Sequence, residues 1–213
     1  MKKQLGNFLL AILAGLCIGL GGGVFLALAP ENRIVGAVLF TVGLFTICIF
    51  GFALFTGRVC ALFDNKPSYL ITLAVIWAGN LVGAWAIGAL VRLTRLGAGF
   101  SQTALSLCQT KLSDSFLSLF LLGFICNLLI YIAVEGFKNA PHDVGKYLAL
   151  LFGVSVFILT GTEHSVADMY YFSAAGILWR GDSLACILTI TLGNACGGVF
   201  IPLVRKATAK LTK

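Results

Sequence analysis

The stretch ILTGTEHSVADMYYF, residues 158 to 172, places Glu163, His164 and Asp168 within six positions between strongly apolar runs, in a chain with only eight acidic residues and two histidines. Histidine exchanges a proton near physiological pH. These residue types therefore offer proton exchange and hydrogen bonding to a small polar species. An ionisable group at membrane depth is costly unless it faces a cavity or a partner, so function is the default reading of His164. Glu163 and Asn127, the latter in FICNLL, are the candidates to orient its ring. Neighbouring helical positions point in different directions, so Glu163 is expected to accept from backbone N–H groups around a chain break and not to carry the proton. Asp168 lies one turn beyond His164 on nearly the same face, and His164, Arg58 and water are all open to it as partners. The second histidine, His142, sits in a loop beside Pro141. No nucleophile or metal cluster is assembled, and neither an enzyme activity nor a metal or cofactor is expected.

The elements that hold these residues must be membrane helices. The chain has 213 residues, of which 59% are hydrophobic and 11% charged, a surface balance no water-soluble domain of this size carries. Spans of about 20 residues are expected near 8–29, 34–56, 69–91, 116–134, 147–172 with an interruption, and 183–204. The long continuous apolar runs exclude a β-barrel, whose signature is alternation in short segments. The seven cysteines are scattered without paired spacing and read as small hydrophobes. The net charge of +7 forms no stripe for nucleic acid; it follows topology instead. Lys2, Lys3, Lys66, Lys138, Lys146, Arg205, Lys206, Lys210 and Lys213 fall on one face, against Arg33, Arg92, Arg95, Lys111 and Arg180 on the other. The positive-inside rule then puts both termini in the cytoplasm.

Gly15, Gly19 and Gly23 make a flat stripe on the first span where another helix can approach closely. LFTG at 54–57 is echoed by ILTG at 158–161, and GNLVG at 79–83 by GNACG at 193–197. Residues 1–100 and 112–213 therefore read as repeats of three spans, and an odd number of spans inverts one copy relative to the other. Breaks are expected after Thr56 and Thr160, where unwound backbone is tolerated only if protein buries it or it lines a cavity. Broken helices present free N–H groups, which favour an anion.

LFTG, CN, EHSVADM and TLGNACGG, in that order along nearly the whole chain, resemble the signature segments of the formate/nitrite transporter family. The resemblance implies an all-α homopentamer in the lipid bilayer, each protomer with an aquaporin-like fold, broken second and fifth helices and its own pore for formate, hydrosulfide or nitrite, with formate ranked first. It places hydrophobic constrictions at Phe40, Leu44, Leu54, Phe55 and Phe157, a loop threonine at Thr56, the asparagine that accompanies the histidine at Asn127, and an anion-attracting lysine at Lys111. A proton supplied at His164 would let a neutral acid clear the apolar gates, where a bare anion faces a heavy desolvation penalty; an anion channel without protonation is the rival. Asp168 stands where the family pattern has asparagine, Thr162 where it has an aromatic residue, and Arg58 where small or polar residues are commoner. Arg58 and Asp168 could compensate each other as a pair or retune selectivity. A neutral-solute channel for water or glycerol suits the same fold, but its paired Asn-Pro-Ala signature is absent from the sequence.

Overall fold

The computed structural model describes residues 2–212; Lys213, counted above for orientation, lies outside the described residues. The chain forms α1 (Lys2–Leu28), α2 (Arg33–Phe40), α3 (Val42–Phe50), α4 (Phe55–Arg58) running into a 3-10 turn (Val59–Asp64), α5 (Tyr69–Arg92), α6 (Gly97–Leu112), α7 (Phe116–Asn139), α8 (Asp143–Thr160), α9 (Ser165–Ala174) and α10 (Gly181–Leu211). Among the described residues six segments are long and apolar enough to cross a membrane, with α2 and α3 together making one of them. α1 starts six residues earlier than the apolar pattern predicts, and α10 continues to Leu211. The added turns are polar and basic, so hydropathy does not reveal them although the backbone hydrogen bonding simply carries on.

α6 was not anticipated. Its sequence, GAGFSQTALSLCQTKL, is too polar to read as a span. It lies against α9, where the Ser101 hydroxyl donates to the Ala174 carbonyl at 2.8 Å.

Small residues bring two helix pairs to backbone contact. Gly79 and Gly83 of α5 face backbone atoms of Phe8 and Ile12 in α1, and Gly193 and Gly197 of α10 face the carbonyls of Phe120 and Phe124 in α7. Lipid gives helices no hydrophobic incentive to associate, so this close van der Waals approach supplies the packing energy. At Gly83 an added methyl has nowhere to go except into the Ile12 carbonyl. Gly83→Ala is expected to cost about 1–3 kcal/mol by overpacking, read as a lower thermal midpoint in detergent. An unchanged midpoint would show that α1 and α5 are not in backbone contact.

Both interruptions have one construction. α3 ends at Gly51 (φ 69°) and α8 at Gly161 (φ 72°), and each glycine takes the left-handed conformation that a side chain disfavours. After three intervening residues the chain re-enters a helix, at Phe55 and at Ser165. The first break therefore lies at Gly51–Leu54, before Thr56 and not after it. Thr56 belongs to the first turn of α4, whereas Thr160 closes α8, so the LFTG and ILTG echo joins positions that are not equivalent. The positive-φ glycines mark the equivalent positions, because the conformation and not the tetrapeptide defines the break.

A pair of asparagines ties the breaks. Asn80 Nδ2 donates to the carbonyls of Ala11 (2.8 Å) and Ala53 (2.9 Å), and its Oδ1 accepts from Phe55 N–H (2.8 Å). Asn194 Nδ2 donates to the carbonyls of Gly123 (2.8 Å) and Glu163 (2.8 Å), and its Oδ1 accepts from Ser165 N–H (2.9 Å). Ala53 and Glu163 in turn donate their N–H groups to the carbonyls of Leu10 and Leu122. Each break is thus pinned to the first and third long helices of its own half. Unwound backbone at membrane depth requires this pairing, since lipid offers it none.

Candidate functional site

The two re-entering half-helices bring Thr56 and His164 together. The Thr56 Oγ1 to His164 Nε2 distance is 2.9 Å, and His164 Nδ1 accepts from the Ala167 N–H at 3.1 Å. His164 is the N-cap of α9, so its Nδ1 lone pair satisfies one of the free N–H groups at that helix end. The tautomer follows from the partners: Nδ1 is the acceptor, Nε2 carries the hydrogen, and Thr56 Oγ1 accepts it. The ring is neutral in this arrangement, because a proton on Nδ1 would face the Ala167 N–H donor. It also lies against the Phe157 ring, with centroids 5.6 Å apart and planes at 25°.

Asn127 does not orient the histidine. Its Nδ2 donates to the carbonyls of Thr56 (3.1 Å) and Asn194 (2.7 Å). It therefore clasps the first half-helix to the asparagine that ties the second break, and acts on Thr56 through its backbone.

Apolar side chains flank the pair. The edge of Phe40 meets Phe157 at a centroid distance of 6.0 Å and 86°. Leu44 and Leu54 border a cavity of about 180 Å³ whose polar lining includes Arg58 and Lys138. Phe157 and His164 border a second cavity of about 70 Å³ that also reaches Arg33, Lys111, Glu163 and Asp168. Phe40, Leu44, Leu54 and Phe157 are all buried. Phe55 is buried too but does not flank the pair. It points the other way from Leu54 and packs with Ala11, Val59, Leu73 and Ile76, because consecutive residues entering α4 face opposite sides.

The carboxylates are arranged differently from expectation. Glu163 uses its side chain on Lys111 and leaves the break's N–H groups to other acceptors. Asp168 pairs with the same lysine, with Nζ 3.0 Å from Oδ1, while its buried Oδ2 has no hydrogen-bond partner among the described residues. Burial by itself would make the ammonium give up its proton more readily, but Asp168 and Glu163 outweigh that and hold the Lys111 pKa above the ordinary lysine range. Arg58 borders the opposite cavity from Asp168, so the two form no pair.

Three further residues matter. Asn80 and Asn194 were visible only as the recurring Gly-Asn, and the signal that could have marked them as tethers is that each follows a packing glycine in the third span of its half. Arg33 entered only the charge count. Its guanidinium donates to the Ile158 carbonyl at 3.3 Å and lines the cavity beside His164.

Comparison with known proteins gives a consistent picture. A family model described as formate/nitrite transporter matches residues 2–206. The chain is 32% identical to the uncharacterized transporter YrhG of Bacillus subtilis (strain 168), covering 89% of this chain and 82% of that protein. It is 26% identical to the formate channel FocA of Haemophilus influenzae over 79% of this chain, and spans about two thirds (66%) of that protein's length. A solved structure described as a pentameric formate channel with formate bound superposes with a TM-score of 0.81 at 27% identity, covering 98% of each chain.

Proposed function

The chain belongs to the formate/nitrite transporter family, and from that premise we propose that it carries small monovalent anions of weak acids across the membrane, formate foremost, with hydrosulfide and nitrite as the alternatives. The protein is a multi-pass membrane protein. In this reading it works as a homopentamer in the cell membrane with both termini cytoplasmic, each protomer with its own pore between two inverted halves, 1–100 and 112–213. The Arg33 cavity then opens outward and the Arg58 cavity inward.

The observation that supports this reading most is the position of the Thr56–His164 pair, a polar couple with apolar Phe157 against it and a cation-bearing cavity on either side. An anion stripped of water by Phe157, Phe40, Leu44 and Leu54 faces a penalty that a neutral acid of the same size escapes. Formate is therefore protonated where it can still accept hydrogen bonds, from Nε2–H or from the Thr56 hydroxyl, whose own hydrogen is left for the anion once its oxygen accepts from the ring. One proton from cavity water converts HCOO⁻ to HCOOH; the neutral acid crosses the apolar segment and releases the proton on the far side.

The Nδ1 cap favours a second reading. Because a cationic ring would break the bond to Ala167 N–H, His164 can serve as a neutral hydrogen-bond donor to an anion that passes unprotonated. Flux through reconstituted proteoliposomes, measured with formate, nitrite and hydrosulfide at several pH values, separates the two. Proton-coupled passage is expected to rise as pH falls and to move one proton per anion without net current; the second reading yields a current that varies little with pH. Passage of urea or glycerol with no anion flux would overturn both.

A further inference from the structure

Four charged side chains border the cavity on the Phe157 side of His164: Arg33, Lys111, Glu163 and Asp168. Lys111 is held by both carboxylates. A cation whose field is closed by two anions at contact distance attracts little from farther away. Arg33 is different: among the described residues it takes part in no ion pair, is exposed, and is held across the mouth by the Ile158 carbonyl at the last turn of α8.

We propose that Arg33, and not Lys111, is the positioning cation that draws the anion into this cavity, and that Asp168 transfers this task by closing the lysine's charge. The inference rests on reading the chain as an anion pathway. With all four groups ionised the cavity is neutral overall. Removing Arg33 leaves one net negative charge, removing the Asp168 carboxylate leaves one net positive charge, and removing both restores neutrality. Fields focused at a cleft change the local concentration of an incoming ion by about tenfold or more, and salt weakens them.

The test is formate uptake into proteoliposomes at sub-saturating concentration, at low and at high ionic strength. Arg33→Gln is expected to lower uptake by about tenfold at low ionic strength and by much less at high. Arg33→Lys keeps the charge and retains most of the uptake. Asp168→Asn raises uptake above wild type, and Arg33→Gln combined with Asp168→Asn returns it to the wild-type level, a rescue that a merely structural role for Arg33 would not produce. Wild-type uptake by Arg33→Gln at low ionic strength, or an equal loss at both ionic strengths, overturns the proposal, and these two readouts stand even if Asp168→Asn does not fold. If the wild-type protein carries no anion, the anion-pathway reading fails as well; if it carries formate and Arg33→Gln matches it, only this inference fails.

Discussion

Replacing His164 with alanine is expected to reduce anion flux by roughly tenfold to a hundredfold. The substitution removes Nε2–H, the donor paired with Thr56, and leaves an apolar methyl beside Phe157. Hydrogen bonds involving charged groups contribute about 1.5–3 kcal/mol each, and each 1.4 kcal/mol on a barrier is about tenfold in rate. The same change deletes the α9 cap, exposing the Ala167 N–H at a cost of about 1 kcal/mol. His164→Asn separates the two effects. Asparagine is a good N-cap and keeps the half-helix folded, but its shorter side chain does not also present a donor at Thr56 Oγ1. Its thermal midpoint should stay near wild type while its flux falls toward that of His164→Ala. Flux and selectivity unchanged in His164→Ala would remove the histidine from the mechanism.

The other large effect is structural. Asn194→Ala deletes three hydrogen bonds at once and strands the Ser165 N–H and the Glu163 carbonyl, whereas the Gly123 carbonyl keeps its helical partner. A buried group left without its partner costs about 1–3 kcal/mol, and lipid cannot substitute for the missing amide. Allowing for non-additivity, the loss is about 3–6 kcal/mol, which corresponds to a fall of roughly 10 °C or more in thermal midpoint. Asn80→Ala should behave alike, because Asn80 makes the same three bonds at the other break. A shift of only a degree or two in either variant would mean that the asparagines do not hold the breaks. Asn194→Asp is a sharper probe: it keeps the acceptor for Ser165 N–H and loses both donations.

The spans were legible because lipid imposes a length and a composition on anything that crosses it, and the family segments were legible because four motifs recur in order. The likeness of LFTG to ILTG puts the first break after Thr56, whereas the backbone event is Gly51 and Gly161 at positive φ. A shared Thr-Gly carries no dihedral angle. For a related reason the linear pattern gives Glu163 a backbone role and leaves the partner of Asp168 open. Their partner, Lys111, lies on α6, a helix that neither hydropathy nor the repeat pattern reveals. The family resemblance puts Phe55 beside Leu54 at a constriction, but neighbouring residues at a helix start turn their side chains onto opposite faces.

The amino-acid sequence by itself determined that this chain is a bundle of membrane helices interrupted beside His164, and of which family. Those properties follow from local composition, from periodicity and from short segments read in place. Only the tertiary structure decided that His164 is a neutral cap hydrogen-bonded to Thr56, that Asn80 and Asn194 tie the breaks, and that Lys111 is closed by two carboxylates while Arg33 is not. Each of these depends on groups tens to more than a hundred positions apart meeting at hydrogen-bond distance. A linear pattern specifies which side chains are available; which donor meets which acceptor is settled when the half-helices and their neighbours pack.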